Sequence, residues 1–180
     1  MADLPLSYIP CPIEEVTDIR SANYDCVLVI THCFETALPK SAEFLIPHIK
    51  SFCKLDISAK SGASVIPVAD VLPSGRLIYS PTGPVNRDYD DVRRYSEAGF
   101  TGARKAISAG ARRILVVTST SSPFENSQLC TLLGVLSGLY VHTGLSLKNR
   151  LISVTYSRNW DTWLELTNGF RTLPLRLRDA

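Results

Sequence analysis

A chain of 180 residues is long enough for one domain with a substantial core, since folding at this length buries roughly 70% of the surface the unfolded chain exposes. Hydrophobic residues at 45% and charged residues at 20% exclude disorder, and a net charge of +2 gives no reason to expect nucleic acid or an anionic membrane as a partner. No apolar run approaches the roughly 20 residues needed to span a bilayer, and Met1-Ala2-Asp3-Leu4-Pro5 lacks the basic-then-apolar order of a signal peptide.

The five cysteines, Cys11, Cys26, Cys33, Cys53 and Cys130, are scattered without C-x-x-C spacing. They fit buried thiols in a reducing compartment, so the expected address is cytoplasmic.

In chain order, the first clear element is the apolar run over 25–31, a strand buried on both faces. A helix is expected over 41–52, with Pro47 as an internal irritant because proline lacks a backbone donor. Strand-like runs follow at 63–71 and 76–80. Only Leu72-Pro73-Ser74-Gly75 separates them, too little for a crossover helix, so they should pair antiparallel.

After Pro84 the period turns helical. Val92, Tyr95, Gly99, Ala103, Ala106 and Ile107 form one stripe, with Asp88 as the expected cap and Gly110 as a left-handed stop. Residues 113–118 read as another buried strand. Ser122-Pro123-Phe124-Glu125 has the form of a capping box, opening a helix whose apolar face is Leu129, Leu132, Leu133, Leu136, Leu139 and Tyr140. Gly144 is its expected stop. A last strand over 151–156 and a short helix over 160–170, with Trp160, Trp163, Leu164 and Phe170 on one side, complete the pattern.

Strands alternating with helices, interrupted by one hairpin, predict a three-layer α/β/α sandwich around a mixed, mostly parallel sheet. Residues 1–180 should form a single domain.

Few residues carry chemistry. Asp88, Asp90 and Asp91 are the densest carboxylates; they could hold a hard cation, but their placement in the first turn of a helix favours the structural reading, negative charge at the positive helix start. His32 and Cys33 follow the first strand, but neighbours in a strand point to opposite faces and make a poor nucleophilic pair. His48 and His142 read as helix-surface residues.

The loop from Ser80 to Arg87 leads into a helix start, where backbone amides can receive a phosphate. Thr82, Gly83, Asn86 and Arg87 are its candidate ligand residues. Pro81 and Pro84 remove donors, so a purely structural connection is the favoured reading over a phosphate site. Arg93, Arg94, Arg104, Lys105, Arg112 and Arg113, interspersed with Asp90, Asp91 and Glu97, read as a solvated face. No zinc helix, nucleophile elbow or Walker sequence occurs, so no residue is assigned as catalytic and none as a metal ligand.

The stretch over 75–117, centred on Ser-Pro-Thr-Gly-Pro-Val-Asn-Arg-Asp-Tyr-Asp-Asp-Val-Arg-Arg, resembles the N-terminal domain of leucine-aminopeptidase-family proteins, particularly their animal branch of probable aminopeptidases. The likeness covers roughly 25–156. It implies a macro-like fold and a non-catalytic N-terminal domain. The parent's catalytic domain would hold two divalent metals (zinc or manganese), remove N-terminal amino acids from peptides, and assemble as a hexamer. The family's Asn-Thr-Asp-Ala-Glu-Gly-Arg signature belongs to that second domain and is not in this chain, so no metal ligand transfers to any position. The alternative implied by the same fold is a free-standing macro-like module that binds ADP-ribose or a related nucleotide.

Overall fold

The computed structural model describes residues 13–15, 18–21, 23–139 and 153–156. Tyr140, His142, Gly144 and the helix expected over 160–170 lie outside the described residues. Six strands form one sheet: β1 (Ile13–Glu15), β2 (Cys26–Thr31), β3 (Ser64–Pro67), β4 (Arg76–Pro81), β5 (Arg113–Thr118) and β6 (Ser153–Tyr156). Their order is β1-β6-β5-β2-β4-β3. Every neighbouring pair is parallel except β3 with β4. The sheet is mixed and mostly parallel, as the sequence predicts.

The antiparallel pair follows from its short connection. Strand β3 ends at Pro67, earlier than the apolar run suggests. The chain then turns: the Val68 amide donates to the Gly75 carbonyl at 3.0 Å, and Gly75 takes φ +64°, which costs a glycine little.

Every residue of β2 is buried. Val27 and Val29 enter one apolar cluster, and Cys26, Leu28 and Ile30 enter the other. Two cores on opposite faces of one sheet make three layers. One face is covered by α1 (Ile46–Leu55), through Ile49 and Cys53. The other is covered by α2 (Arg93–Ser108) and α3 (Ser127–Leu139).

Three helix expectations need correction. A 3-10 segment, Lys40–Leu45, precedes α1, so Pro47 falls in the first turn, where its missing donor breaks no helical bond. Asp88 does not cap α2; instead Asp91 Oδ1 accepts from the Arg93 amide at 2.7 Å. The stop at Gly110 is as expected. It has φ +81°, and its amide and that of Ala111 donate to Ile107 and Ala106 carbonyls.

The third correction concerns α3, which begins at Ser127 and not at the capping-box sequence. Ser122 Oγ accepts from the Phe124 amide in a local turn, and Asn126 adopts φ +56° before the helix starts. The register of burial also differs. Ser127, Thr131, Leu132, Gly134, Val135, Gly138 and Leu139 are buried, whereas Leu133 is 50% exposed.

The cause is tertiary. Helix α3 lies against α2 through glycines, with Gly134 facing Ser96, Gly138 facing Phe100 and Gly99 facing Thr131 and Val135. Leu132, Val135 and Leu139 then reach the cluster on the sheet. Leu133→Asp should therefore shift the denaturation midpoint by no more than about 0.5 kcal/mol, like other surface substitutions. Leu132→Ala, at a site only 2% exposed, should cost about 2–5 kcal/mol. Equal shifts in urea unfolding would contradict this register.

Candidate functional site

The segment between β4 and α2 holds the candidate loop, and its geometry centres on Asp90. The Asp90 side chain is fully buried. Its Oδ2 accepts from the Arg87 amide at 2.9 Å and from Arg87 Nε at 3.1 Å. Its Oδ1 accepts from Arg87 Nη2 at 3.0 Å and from Arg94 Nε at 2.6 Å. The Arg87 hydrogen bonds, ahead of the opposing effect of burial, hold the carboxyl at about 2. Arg87 also stacks on the exposed Tyr89 ring at 4.6 Å.

The other loop candidates fare unequally. Arg87 is committed to Asp90 and is not free for a ligand. Asn86 is exposed. Thr82 is buried, its amide donating to the Thr31 carbonyl at 3.2 Å. Gly83 has φ +73°, and a Cβ there would come within 3.7 Å of Arg94 Nη1. With Pro84 lacking a donor, and Thr82 and Arg87 using theirs internally, only Gly83, Val85 and Asn86 retain loop amides for a ligand. That is a poor phosphate cradle.

What the loop does border is a cavity of about 200 Å³ at the carboxyl end of β4. One wall is β4 itself, from Ser80 to Thr82. A second is the turn before β3, Ser61, Gly62 and Ala63. The third is one face of α2, formed by Arg94, Glu97, Ala98 and Thr101. The sequence places Arg94 and Glu97 on a solvated face and Ser80 in the candidate loop, and singles out neither Thr101 nor Ser61. Spacings of three, four and seven from Arg94 were the available signal.

A separate polar network closes the ends of β2 and β5. Ser119 Oγ donates to the buried Thr31 Oγ1 at 2.9 Å, and Gln128 Nε2 donates to the Ser119 carbonyl at 2.7 Å. Tyr95 Oη and His32 Nδ1 are 2.9 Å apart, and burial lowers the His32 pKa. His32 thus pairs with Tyr95 and not with Cys33, as the alternation of strand neighbours predicts. Cys33 Sγ, lowered chiefly by its Thr36 hydrogen bond, stands beside an ST turn made by Thr31. Burial pushes the Cys26 thiol up to about 12, consistent with an inert core residue.

His48, expected at the surface, is half-buried with Asp70 at 4.0 Å. Among the described residues no group of three His, Cys, Asp or Glu side chains is placed to hold a metal ion. None of the described helices is long and apolar enough to cross a membrane.

No protein-family model matches the chain. A Caenorhabditis elegans protein named "putative aminopeptidase" is 36% identical over 138 residues, which are 74% of this chain and 26% of that protein. The chain therefore spans about a quarter of the length of the curated relative it matches. Among solved structures, a mutant tomato leucine aminopeptidase superposes with TM-score 0.56 and 19% identity, covering 88% of this chain and 34% of that one. The macrodomain of Mycobacterium tuberculosis DarG superposes with TM-score 0.52 and 9% identity, covering 82% of this chain and 98% of that one. At these identities the structural matches establish the fold, a macro-like α/β/α sandwich.

Proposed function

We propose, for a chain that belongs to the leucine-aminopeptidase family as a macro-like domain, that it is the non-catalytic N-terminal part of a longer metal-dependent aminopeptidase. The parent would remove N-terminal amino acids from peptides in the cytoplasm. Its catalytic domain would hold two divalent metals, zinc or manganese. That domain is the intramolecular partner of residues 1–180, and family-type hexamers are the proposed assembly.

The observation that carries the non-catalytic reading is the fate of the acidic cluster. Asp90 is enclosed by Arg87 and Arg94, and Asp91 is held by Arg93 at 2.6 Å. A divalent ion would have to displace guanidinium groups from both carboxylates, so these residues do not fit the implied metal pair. The role left to the domain is architectural: it supports the parent's catalytic half and shapes access to it.

The purified chain should release no leucine from a leucyl chromogenic substrate, with or without excess manganese or zinc. A chelator-sensitive release, absent from a mock preparation, would overturn the reading.

The second reading is a free nucleotide-binding module, favoured by the macrodomain-like fold alone. ADP-ribose should bind weakly or not at all, because the 82–87 loop presents few free amides. Micromolar binding by calorimetry, lost in Gly83→Val, would reverse the ranking.

A further inference from the structure

We propose that the outward face of α3 is the surface on which the catalytic half of the longer protein docks, an inference that rests on the two-part reading above. Helix α3 runs for 13 residues without an Asp, Glu, Lys or Arg. A helix at the surface of a domain normally keeps charged side chains on the side away from the core, and one that is apolar all round is covered on every side. The neighbouring α2 follows the rule, with Arg93, Glu97, Arg104 and Lys105 all exposed.

Helix α3 does not. It buries Leu132, Val135 and Leu139 in the cluster on the sheet, yet Leu133 is 50% exposed. One turn earlier, Leu129 and Cys130 are only half-buried. Phe100, the α2 residue whose backbone meets Gly138, adds a ring that is 45% exposed. Apolar groups grouped in this way, without charge among them, have the composition of an interface core. Leu55 and Ile57 are more exposed still, but Lys54, Asp56 and Lys60 flank them along the chain, as at an ordinary solvated surface.

Size decides between occupants. At 1.5 Å per residue, 13 residues make about 20 Å of helix about 10 Å wide, so the face measures roughly 200 Å². Two free copies of the chain would need about 800 Å² on each partner for a stable contact. A partner in the same polypeptide needs far less, because its tether holds it at a millimolar effective concentration. Most of the Caenorhabditis elegans relative lies outside the matched region, so a longer protein of that kind carries such a partner. The surface it presents to α3 should be apolar, since a charge buried there would find no counter-ion.

Maleimide labelling of Leu133→Cys, read by peptide mass spectrometry, tests this in the longer protein and in the 180-residue chain. Thiol reactivity follows access, so labelling should be at least about tenfold slower in the longer protein. Native Cys130 should slow in parallel, with no substitution needed. Lys105→Cys, on the charged side of α2, should react equally in both. Equal rates at Leu133→Cys would overturn the proposal. Slow labelling already in the 180-residue chain would overturn it too, because the chain itself or a second copy would then be the cover. A Lys105→Cys thiol slowed as strongly would mean burial of the whole helical layer and would overturn the choice of face. Peptidase activity is read separately. A longer protein that shields Leu133→Cys but releases no leucine sinks the function proposed above and leaves the docking face standing; an active one with an open thiol does the reverse.

Discussion

Gly134→Ala is expected to destabilise the chain by about 3 kcal/mol, the upper end of ordinary overpacking and a large part of a typical ~5–15 kcal/mol stability. A Cβ at Gly134 would run into the Ser96 carbonyl oxygen and lie 2.7 Å from its carbon and 2.8 Å from the Ser96 Cα. These are backbone atoms of α2, so no side chain can swing aside to relieve the clash. Gly138 repeats the arrangement one turn on, where a Cβ would stand 2.6 Å from the Phe100 carbonyl oxygen.

Urea unfolding measures the effect. Gly62→Ala is the control, because the nearest atom to a Cβ there is 3.8 Å away, and it should stay within about 0.5 kcal/mol. Similar midpoints for the two variants would mean that α2 and α3 do not meet as described.

Asp90→Asn should remove a pH-dependent component of stability. The Arg87 hydrogen bonds depress the Asp90 carboxyl to about 2 in the folded chain, against about 3.9 for a free side chain. A group depressed on folding stabilises the native state above its unfolded pKa, and the contribution disappears as pH falls through the folded value. The parent chain should thus exceed Asp90→Asn in stability at neutral pH. The gap should narrow between about pH 4 and pH 2, then close once the parent carboxyl is protonated. Asp25 and Glu35, also held low by neighbouring donors, titrate in both proteins and cancel in the difference. A gap that stays constant from pH 7 to pH 2 would show that the two arginines do not hold Asp90 as an anion.

Much of the architecture was legible because it rests on local patterns with a single physical solution. The β2 and β5 runs are apolar at consecutive positions, which suits only strands covered on both sides. The four-residue link Leu72–Gly75 forbids a crossover, so the antiparallel pair is dictated by chain length alone. Gly110 stops α2 because the left-handed conformation is open to glycine.

Failures came where two structures share one local pattern. Ser122-Pro123-Phe124-Glu125 opens a helix or closes a turn, and Asn126, left-handed, selects the turn. Leucine count pointed α3 toward its Leu133 side, but glycines set which side approaches another helix, and that choice depends on α2. The polar residues of α2 misled in the same way, since a solvated face and the wall of a polar cavity have the same spacing. Asp90 looked like its exposed neighbours because nothing in Asp88-Tyr89-Asp90-Asp91 marks the one carboxylate that two arginines bury.

The strand order also sets a schedule for synthesis. Ile13 of β1 finds its partner at Val154 of β6, and β6 in turn pairs with β5. As the chain leaves the ribosome, β2, β3, β4 and β5 can assemble with α1 and α2 while β1 has no neighbour in this sheet. Pairing between segments so distant in sequence is slow, because a long loop must close before any contact forms. The first strand made is therefore among the last to be seated. Until β6 emerges, the open side of β5 is the edge most exposed to unwanted strand pairing, and that interval is when a chaperone or the rest of the polypeptide would have the most to protect.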